Sequence, residues 1–537
     1  MNRTENLKQL REKKRFDLLV IGGGATGCGV ALEAASRGLQ VALVEQNDFA
    51  EGTSGRSTKL VHGGVRYLER AVRRLDPAQY HLVRDALHER STLMKNAPHL
   101  ANRLALVTPL YHWHKVPYVY SGLKLYDLLA GRHNIGHSRL LGRREALRRF
   151  PTLKAKGLKA GVLYYDGQFH DARMALSLAL TAARHGAIIS NHVAVSALLK
   201  KERYIVGAEL TDSLTGERWQ LHAKGVINAT GPFADQLRQM DEPGTGEILS
   251  VSSGIHIVLD GRFAPPDTGL LIPETEDGRV LFVLPWEGHA LVGTTDEVTT
   301  VSEHPRPREA EIDYLLRHLG RYFNLQVDRS DIRAVWSGLR PLVADPKRAD
   351  TAGLARDHVI ETSASGLLTI VGGKWTTYRR MAQDAVDHAL REFDLFAPIA
   401  TSRTAPLRLV GGERYREKDS EALSADTGIP AEMASYLLRS YGDQARQVAD
   451  LDRTLLRPLA EGLPIPEVAV LQAVRHELAE RIIDVLARRT PLALLNTAAA
   501  RRATSRVLEI MTSELGWDKR RQAAELALTE LRLNDGL

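Results

Sequence analysis

The hydrophobic pattern changes period several times along the chain, and each change predicts an element. Phe16 to Ile21 (FDLLVI) is an unbroken apolar run of strand length, as a strand covered on both faces requires. The turn GGGATG follows, then an Ala-rich stretch of helical character to Arg37, a stop at Gly38, and a second strand from Gln40 to Val44 that closes on Glu45. This spacing predicts a β-turn-α-β unit within about 30 residues. Asp76-Pro77 offers N-cap and first-turn chemistry for a helix reaching Asn96, and a further helix is expected from Asp171 to near Gly186. Residues 187–229 read as short strands with a turn at Thr215-Gly216, and residues 250–300 again carry strand patterning in RVLFVLPW and HALVGTT. Leu367 to Val371 forms the last expected strand, meeting Gly372-Gly373 and then a helix from about Trp375. Beyond residue 395 a connection bearing Pro398, Pro406 and Gly411-Gly412 leads into helical periodicity to the C-terminus. The expected units are therefore a basic tail (1–15), a mixed body (16–395) and a helical region (396–537).

Composition narrows the chemistry. A chain of 537 residues exceeds what one core supports, and 44% hydrophobic with 26% charged residues excludes wholesale disorder and fibrous repeats. The one cysteine, Cys28, can form no internal disulfide and cannot hold an iron–sulfur cluster or a Cys-rich zinc site. Redox chemistry would have to come from an organic cofactor or a His/carboxylate metal centre, and a reducing, cytoplasmic setting is expected. The net charge of +7 favours an anionic substrate, an anionic membrane surface or nucleic acid. That excess is local: Arg3, Lys8, Arg11, Lys13, Lys14 and Arg15 face two glutamates, and six arginines between Arg132 and Arg149 face Glu145. No apolar stretch reaches the ~18 residues a spanning helix needs, and the charged start lacks the apolar core of a signal peptide.

The turn Gly22-x-Gly24-x-x-Gly27 lies between a predicted strand and a predicted helix, with Glu45 18 residues beyond Gly27. Gly22 permits the tight turn, Gly24 admits a pyrophosphate, Gly27 allows close helix packing, and Glu45 is placed for a ribose diol. Cys28 reads as a small residue against the sheet. VINATG (Val226 to Gly231) is a second strand ending in small residues, including Ala229 and Gly231, suited to close passage of a dinucleotide. The junction Val371-Gly372-Gly373-Lys374-Trp375-Thr376-Thr377 is a third, with N–H groups that could face negative charge on a reduced ring. Three such pieces spread over some 380 residues point to FAD; a nicotinamide-only domain needs only the first.

A fourth segment, Thr53 to Glu69, holds hydroxyls and a lysine suited to phosphate (Thr53, Ser54, Ser57, Thr58, Lys59), then His62, Gly63, Gly64, Arg66 and Tyr67. Together with GGGATG, DGQFHDAR, VINATGPFADQL, SGIHIVL, LPWEGHALVGTTD, WSGLRPL, ARDH and VGGKWTTYRRMAQDAV, it resembles the FAD-dependent glycerol-3-phosphate dehydrogenases, a branch of the D-amino-acid-oxidase-like flavoproteins, over nearly the whole chain. The resemblance implies an α/β fold, with a Rossmann-like FAD-binding domain interleaved with a mixed β-sheet substrate domain and followed by an all-α C-terminal domain. It implies that Arg66 and Tyr67 border the substrate, that His62 lies close to the flavin, and that His256, Arg340, Arg356 and Lys374 complete the pocket. A phosphomonoester carries nearly two negative charges, so a cluster of cations is chemically apt.

Hydride transfer from C2 of sn-glycerol 3-phosphate to FAD, with His62 or His256 taking the hydroxyl proton, is the expected reaction, and Arg340 joins the two histidines as a candidate catalytic group. FAD is expected to be non-covalent and no metal is expected. Quinone is the expected electron acceptor; an α-glycerophosphate oxidase using O2 is the alternative, and a basic FAD-containing nucleic-acid-binding protein a remoter one for which no binding motif is present. An anaerobic-type subunit would need a Cys-rich extension. Quinone reduction implies peripheral attachment to the inner face of the cell membrane, through the basic start, the arginines of 132–149 and the aromatics Tyr111, Trp113, Tyr118, Tyr120 and Tyr126 between them. A homodimer is left open.

Overall fold

Strand Phe16–Ile21 sits at the centre of a parallel sheet because both its faces are apolar. Leu18 and Val20 pack toward helices Ala25–Ser36, Asp171–Arg184 and Tyr378–Glu392, while Leu19 and Ile21 pack on the opposite side. The computed structural model describes residues 1–64, 77–273, 275–276, 279–344 and 358–536. In this sheet the order is His358–Thr362, Leu367–Gly372, Arg218–Asn228, Phe16–Ile21, Val41–Val44, Ile188–Ser190. All neighbours run parallel except the first pair, and the predicted β-turn-α-β unit lies within it. Residues 187–229 form longer strands than their composition suggests: Val193–Lys201 and Tyr204–Asp212 make an antiparallel hairpin that continues onto Arg218–Asn228. That last strand is antiparallel at its start and joins the parallel sheet at its end, so one chain segment joins the hairpin to the parallel strands.

The expected basic tail is folded. Helix Arg3–Glu12, capped by Asn2, buries Leu7 and Leu10 against the sheet. Arg3 pairs with Asp212 and Arg11 with Glu217, so part of the local positive charge is already neutralised within the molecule.

The second sheet draws on segments that alternate in sequence with the first. Its long ladder pairs Leu249–Asp260 with Ile332–Val343, and Leu249–Asp260 pairs in turn with His289–Gly293. Beyond that lie Leu281–Trp286, Thr268–Ile272, Ala101–Leu110, Ala160–Phe169 and Leu60–Val61. Period-2 alternation sorts Leu249–Asp260 cleanly: Ile255, Ile257 and Leu259 enter one core with helix Glu309–Tyr322, and Val258 faces the other with Trp336 and the C-terminal helices. After residue 395 the described residues form helices, turns and one isolated bridge. Helices there stop at left-handed Gly428, Gly516 and Gly536, and Asn496 and Asp518 cap helix starts.

Candidate active site

The three glycine-bearing turns converge on one cavity of about 270 Å³ at the carboxyl ends of the parallel strands. Gly22 has φ +113°, and a Cβ there would stand 2.6 Å from the carbonyl oxygen of Ala229. A Cβ on Gly27 would lie 1.8 Å from the Gly22 carbonyl oxygen, so helix Ala25–Ser36 can approach the strand only with glycine at 27. Gly24 is the N-cap of that helix and has no side chain to fill the cradle. The Ala25 N–H donates to Ser54 Oγ at 2.9 Å; the next N–H groups of the turn have no acceptor within the helix and suit an anion. Ala229 and Gly231, and Gly372, Gly373 and Lys374, line the same cavity. Gly231, Gly372 and Gly373 all take positive φ, so these two turns also need glycine.

Glu45 lines the cavity at the end of the second strand. Its carboxylate accepts the Gly23 N–H at 2.6 Å and the Asn47 N–H at 2.9 Å, and burial pushes its pKa up to about 7. A glycine cradle at a helix N-terminus with an acid on the next strand fits the pyrophosphate and ribose of FAD. Cys28 is fully buried behind the turn, where burial and then the charge of Glu45 push its thiol pKa up.

The segment from Thr53 divides into two. Thr53 and Ser54 line the cavity; Thr53 Oγ1 donates to the Leu339 carbonyl at 2.7 Å, and Trp375 Nε1 donates to the Ser54 carbonyl at 2.9 Å. Ser57 and Lys59 turn inward instead. Lys59 Nζ lies 2.7 Å from both oxygens of Asp171 and donates to the Gly55 carbonyl, while Ser57 Oγ donates to Asp171 at 2.8 Å. Both side chains of the ion pair are buried, and the pairing offsets the cost of holding an ammonium at this depth. Their expected phosphate contact is therefore corrected to a structural one.

Thr58 leads to the second sheet. Its Oγ1 is 2.9 Å from His256 Nε2, and the His256 ring stacks on Trp336 at 4.2 Å between centroids. Burial, followed by the charges of Lys59 and Arg340, holds the His256 pKa well below the ordinary histidine range. Registry places Trp336, Gly338 and Arg340 opposite His256, Gly254 and Ser252, so Arg340 and His256 share one face. A Cβ on Gly338 would meet the Arg56 carbonyl at 2.9 Å, which shows that the segment running from Thr53 lies over that face. Arg340 is fixed by Asp296 at 3.0 Å, Thr294 Oγ1, and the carbonyls of Ser253 and Thr295. The His62 N–H donates to Thr376 Oγ1 at 3.2 Å, and Thr376 donates back to the His62 carbonyl. Arg66, Tyr67 and Arg356 lie outside the described residues.

Sequence reasoning passed over several cavity residues: Asn47, Val193, Val195, Thr230, Phe233, Gln236 and Met240. Phe233 and Gln236 fall inside VINATGPFADQL, whereas Val193 and Val195 carry only ordinary strand patterning. A further cluster, Asp48, His192 and Asp484, lies behind the rim of the cavity. Its lone pairs are taken by Arg488 and Arg489, with Arg489 NH1 2.6 Å from Asp48, so it joins the C-terminal helices to the loop after Glu45.

Comparison with known proteins agrees with this geometry. A family described as FAD dependent oxidoreductase matches residues 17–379, and one described as the C-terminal domain of alpha-glycerophosphate oxidase matches 402–522. The mitochondrial glycerol-3-phosphate dehydrogenase of Rattus norvegicus is 46% identical over 98% of this chain and 74% of its own length. The corresponding Arabidopsis thaliana protein is 45% identical over 95% of this chain and 85% of its own. Among solved structures, the glycerol-3-phosphate dehydrogenase from Bacillus halodurans, complexed with FAD, has a TM-score of 0.80 at 30% identity, covering 99% of this chain and 97% of that one. The L-alpha-glycerophosphate oxidase from Mycoplasma pneumoniae shares the fold alone, at 15% identity and a TM-score of 0.54 over 73% of this chain and 97% of that one. With its glycine cradle, its two interleaved sheets and matches of this extent, the chain belongs to the glycerol-3-phosphate dehydrogenase family of FAD-dependent oxidoreductases.

Proposed function

We propose that this chain oxidises sn-glycerol 3-phosphate to dihydroxyacetone phosphate and passes the electrons to a membrane quinone. The observation that carries the reading is the shared face of Arg340 and His256 beneath the segment that leads from the dinucleotide cavity. Bound FAD, held at Gly22, Gly24, Gly27, Glu45, Thr53, Ser54, Ala229, Gly231, Gly372 and Gly373, supplies an acceptor for the hydride that leaves C2. His62 or His256 takes the C2 hydroxyl proton. Imidazole suits this task near neutral pH, and the lowered pKa of His256 keeps its ring unprotonated there. Arg340 and Lys374, with Arg66 and Arg356, supply the charge that a phosphate dianion needs, and Tyr67 borders the same substrate. Because its terminal N–H groups already bond Asp296, Thr294 and two carbonyls, Arg340 acts as a fixed cation whose orientation precedes substrate binding.

Peripheral attachment to the inner face of the membrane follows from the acceptor. Among the described residues no helix is long and apolar enough to cross a bilayer. Helix Lys115–Ala130 and its neighbours expose Trp113 at 64%, Leu128 at 74%, and Tyr118 and Leu140 at nearly half. Lys124, Arg132 and Arg139 are exposed beside them, the mixture that an anionic headgroup boundary binds.

Anaerobic mixing of the holoenzyme with glycerol 3-phosphate, glycerol, hydroxy acids and amino acids tests the chemistry. Rapid flavin bleaching by glycerol 3-phosphate alone is expected, and equal bleaching by glycerol would overturn the assignment. With a lipophilic quinone analogue and air both present, quinone reduction should outpace peroxide release; the reverse would move the chain to the oxidases.

A further inference from the structure

We infer that Tyr126, backed by Asp166 and Arg90, is a positioning residue that sets the His62-Gly63 turn against the flavin site. The inference rests on the reading that His62 borders the reacting groups. Gly63 is buried, and its N–H donates to Tyr126 Oη at 2.7 Å. A backbone N–H can only donate, so the phenol oxygen accepts there and the phenol proton is left for another acceptor. It goes to Asp166 Oδ1, 2.9 Å away, and the same oxygen accepts from Arg90 NH1 at 2.6 Å. Arg90, Tyr126 and Asp166 are all buried to within 2%, where water cannot replace a lost partner and each bond in the chain orients the next. Contact reinforces the bond: a Cβ on Gly63 would lie 2.7 Å from Leu87 and 3.0 Å from the Tyr126 ring, so this turn packs directly on the tyrosine.

The other side of the turn is tied to the dinucleotide cavity. Thr376 both accepts the His62 N–H and donates to its carbonyl, and Thr376 follows the cavity residues Gly372, Gly373 and Lys374. His62 and Gly63 thus hang between two anchors, one in the short turn Trp375–Thr377 that follows strand Leu367–Gly372 and one on helix Lys115–Ala130. Sequence reasoning grouped Tyr126 with the interfacial aromatics. Its neighbours Trp113 and Tyr118 do reach solvent, whereas Tyr126 lies on the inward face and holds the turn.

Tyr126→Phe removes one oxygen and leaves the ring in place. Two measurements on the FAD-loaded variant test the inference: hydrogen exchange of the peptide spanning Leu60–Gly64, and single-turnover flavin reduction at saturating glycerol 3-phosphate. Faster exchange is expected, together with a rate lowered roughly 10–100-fold and little change in KM or FAD content, the size of effect that a small misplacement of a reacting group produces. Tyr204→Phe, at an exposed position of strand Tyr204–Asp212, should change neither readout. Asp166→Asn, which keeps an acceptor for the phenol but removes the partner charge of Arg90, should show the same exchange change to a smaller extent and serves if Tyr126→Phe folds poorly. Unchanged exchange of Leu60–Gly64 in both variants would overturn the inference. Failure of His62 itself as a reacting group would appear separately, as a wild-type rate in His62→Gln, and leaves the exchange readout intact.

Discussion

His256 lies flat on Trp336, the ring planes 22° apart, and its Nε2 is 2.9 Å from the hydroxyl of Thr58. One contact comes from the second sheet and the other from the segment that runs from Thr53 at the cavity, so the imidazole is fixed where the two meet. Its environment also fixes its charge. Burial and two nearby cations disfavour protonation, and the neutral base persists below the pH at which a free histidine would be half protonated.

That relationship gives His256 a signature in pH. If His256 takes the proton, flavin reduction at saturating substrate should hold its full rate through pH 6.5 as pH falls, with the acid limb lying lower. A rate that already falls as pH drops to 6.5 would remove His256 as the base. Stopped-flow reduction across pH 5–8 decides, and Gln at the responsible position should slow it by ~10²–10⁴-fold.

The two glycines of the first turn should fail differently. Gly27→Ala places a methyl carbon against the Gly22 carbonyl, which neither backbone can yield, so both FAD content and thermal stability should fall. Gly24→Val stands in open cradle apart from Ser54 Oγ at 3.0 Å from its Cβ. Loss of flavin absorbance with a largely preserved apo-protein fold is expected there. Full flavin content in purified Gly24→Val would remove the pyrophosphate from this position.

Lys59 should matter for stability more than for phosphate. Lys59→Met leaves Asp171 buried with its counter-ion gone, a change that typically costs about 3–5 kcal/mol. The double variant Lys59→Met/Asp171→Leu should recover part of that loss. Denaturant melts of the holoenzyme measure both, and a stable Lys59→Met with lowered FAD content would restore the phosphate role.

Lys374 and Arg340 should read out on the substrate's phosphate. A charge-assisted hydrogen bond contributes about 1.5–3 kcal/mol, so Lys374→Met should lower kcat/KM for glycerol 3-phosphate roughly 10–100-fold. The low activity expected on unphosphorylated glycerol should hardly change. Equal losses on both compounds would place Lys374 away from the phosphate.

Membrane contact should follow the exposed face of helix Lys115–Ala130. Liposomes rich in anionic lipid should co-sediment the protein at low salt and release it as salt rises. Trp113→Ala combined with Leu128→Ser should weaken that binding while leaving flavin reduction by glycerol 3-phosphate in solution unaltered. Undiminished sedimentation of the double variant would assign the contact to another surface.

Much of this molecule was legible in the residues alone, for a local reason. Phe16–Ile21 and the turn of Gly22, Gly24 and Gly27 are specified by apolar runs and steric demands that act within a few neighbours. Side-chain partners were a different matter. Lys59 and Ser57 sit among hydroxyls that suit phosphate, yet Asp171, more than a hundred positions away, draws both inward. Tyr126 shares a helix with Tyr118, and only the packing of that helix on Asp166 and Gly63 separates the buried hydroxyl from the exposed ring. The basic start looked like a free tail until Asp212 and Glu217 met Arg3 and Arg11. A sequence states which groups carry charge and which turns need glycine; which charge finds which partner depends on distances that exist only once the two sheets and the C-terminal helices are assembled.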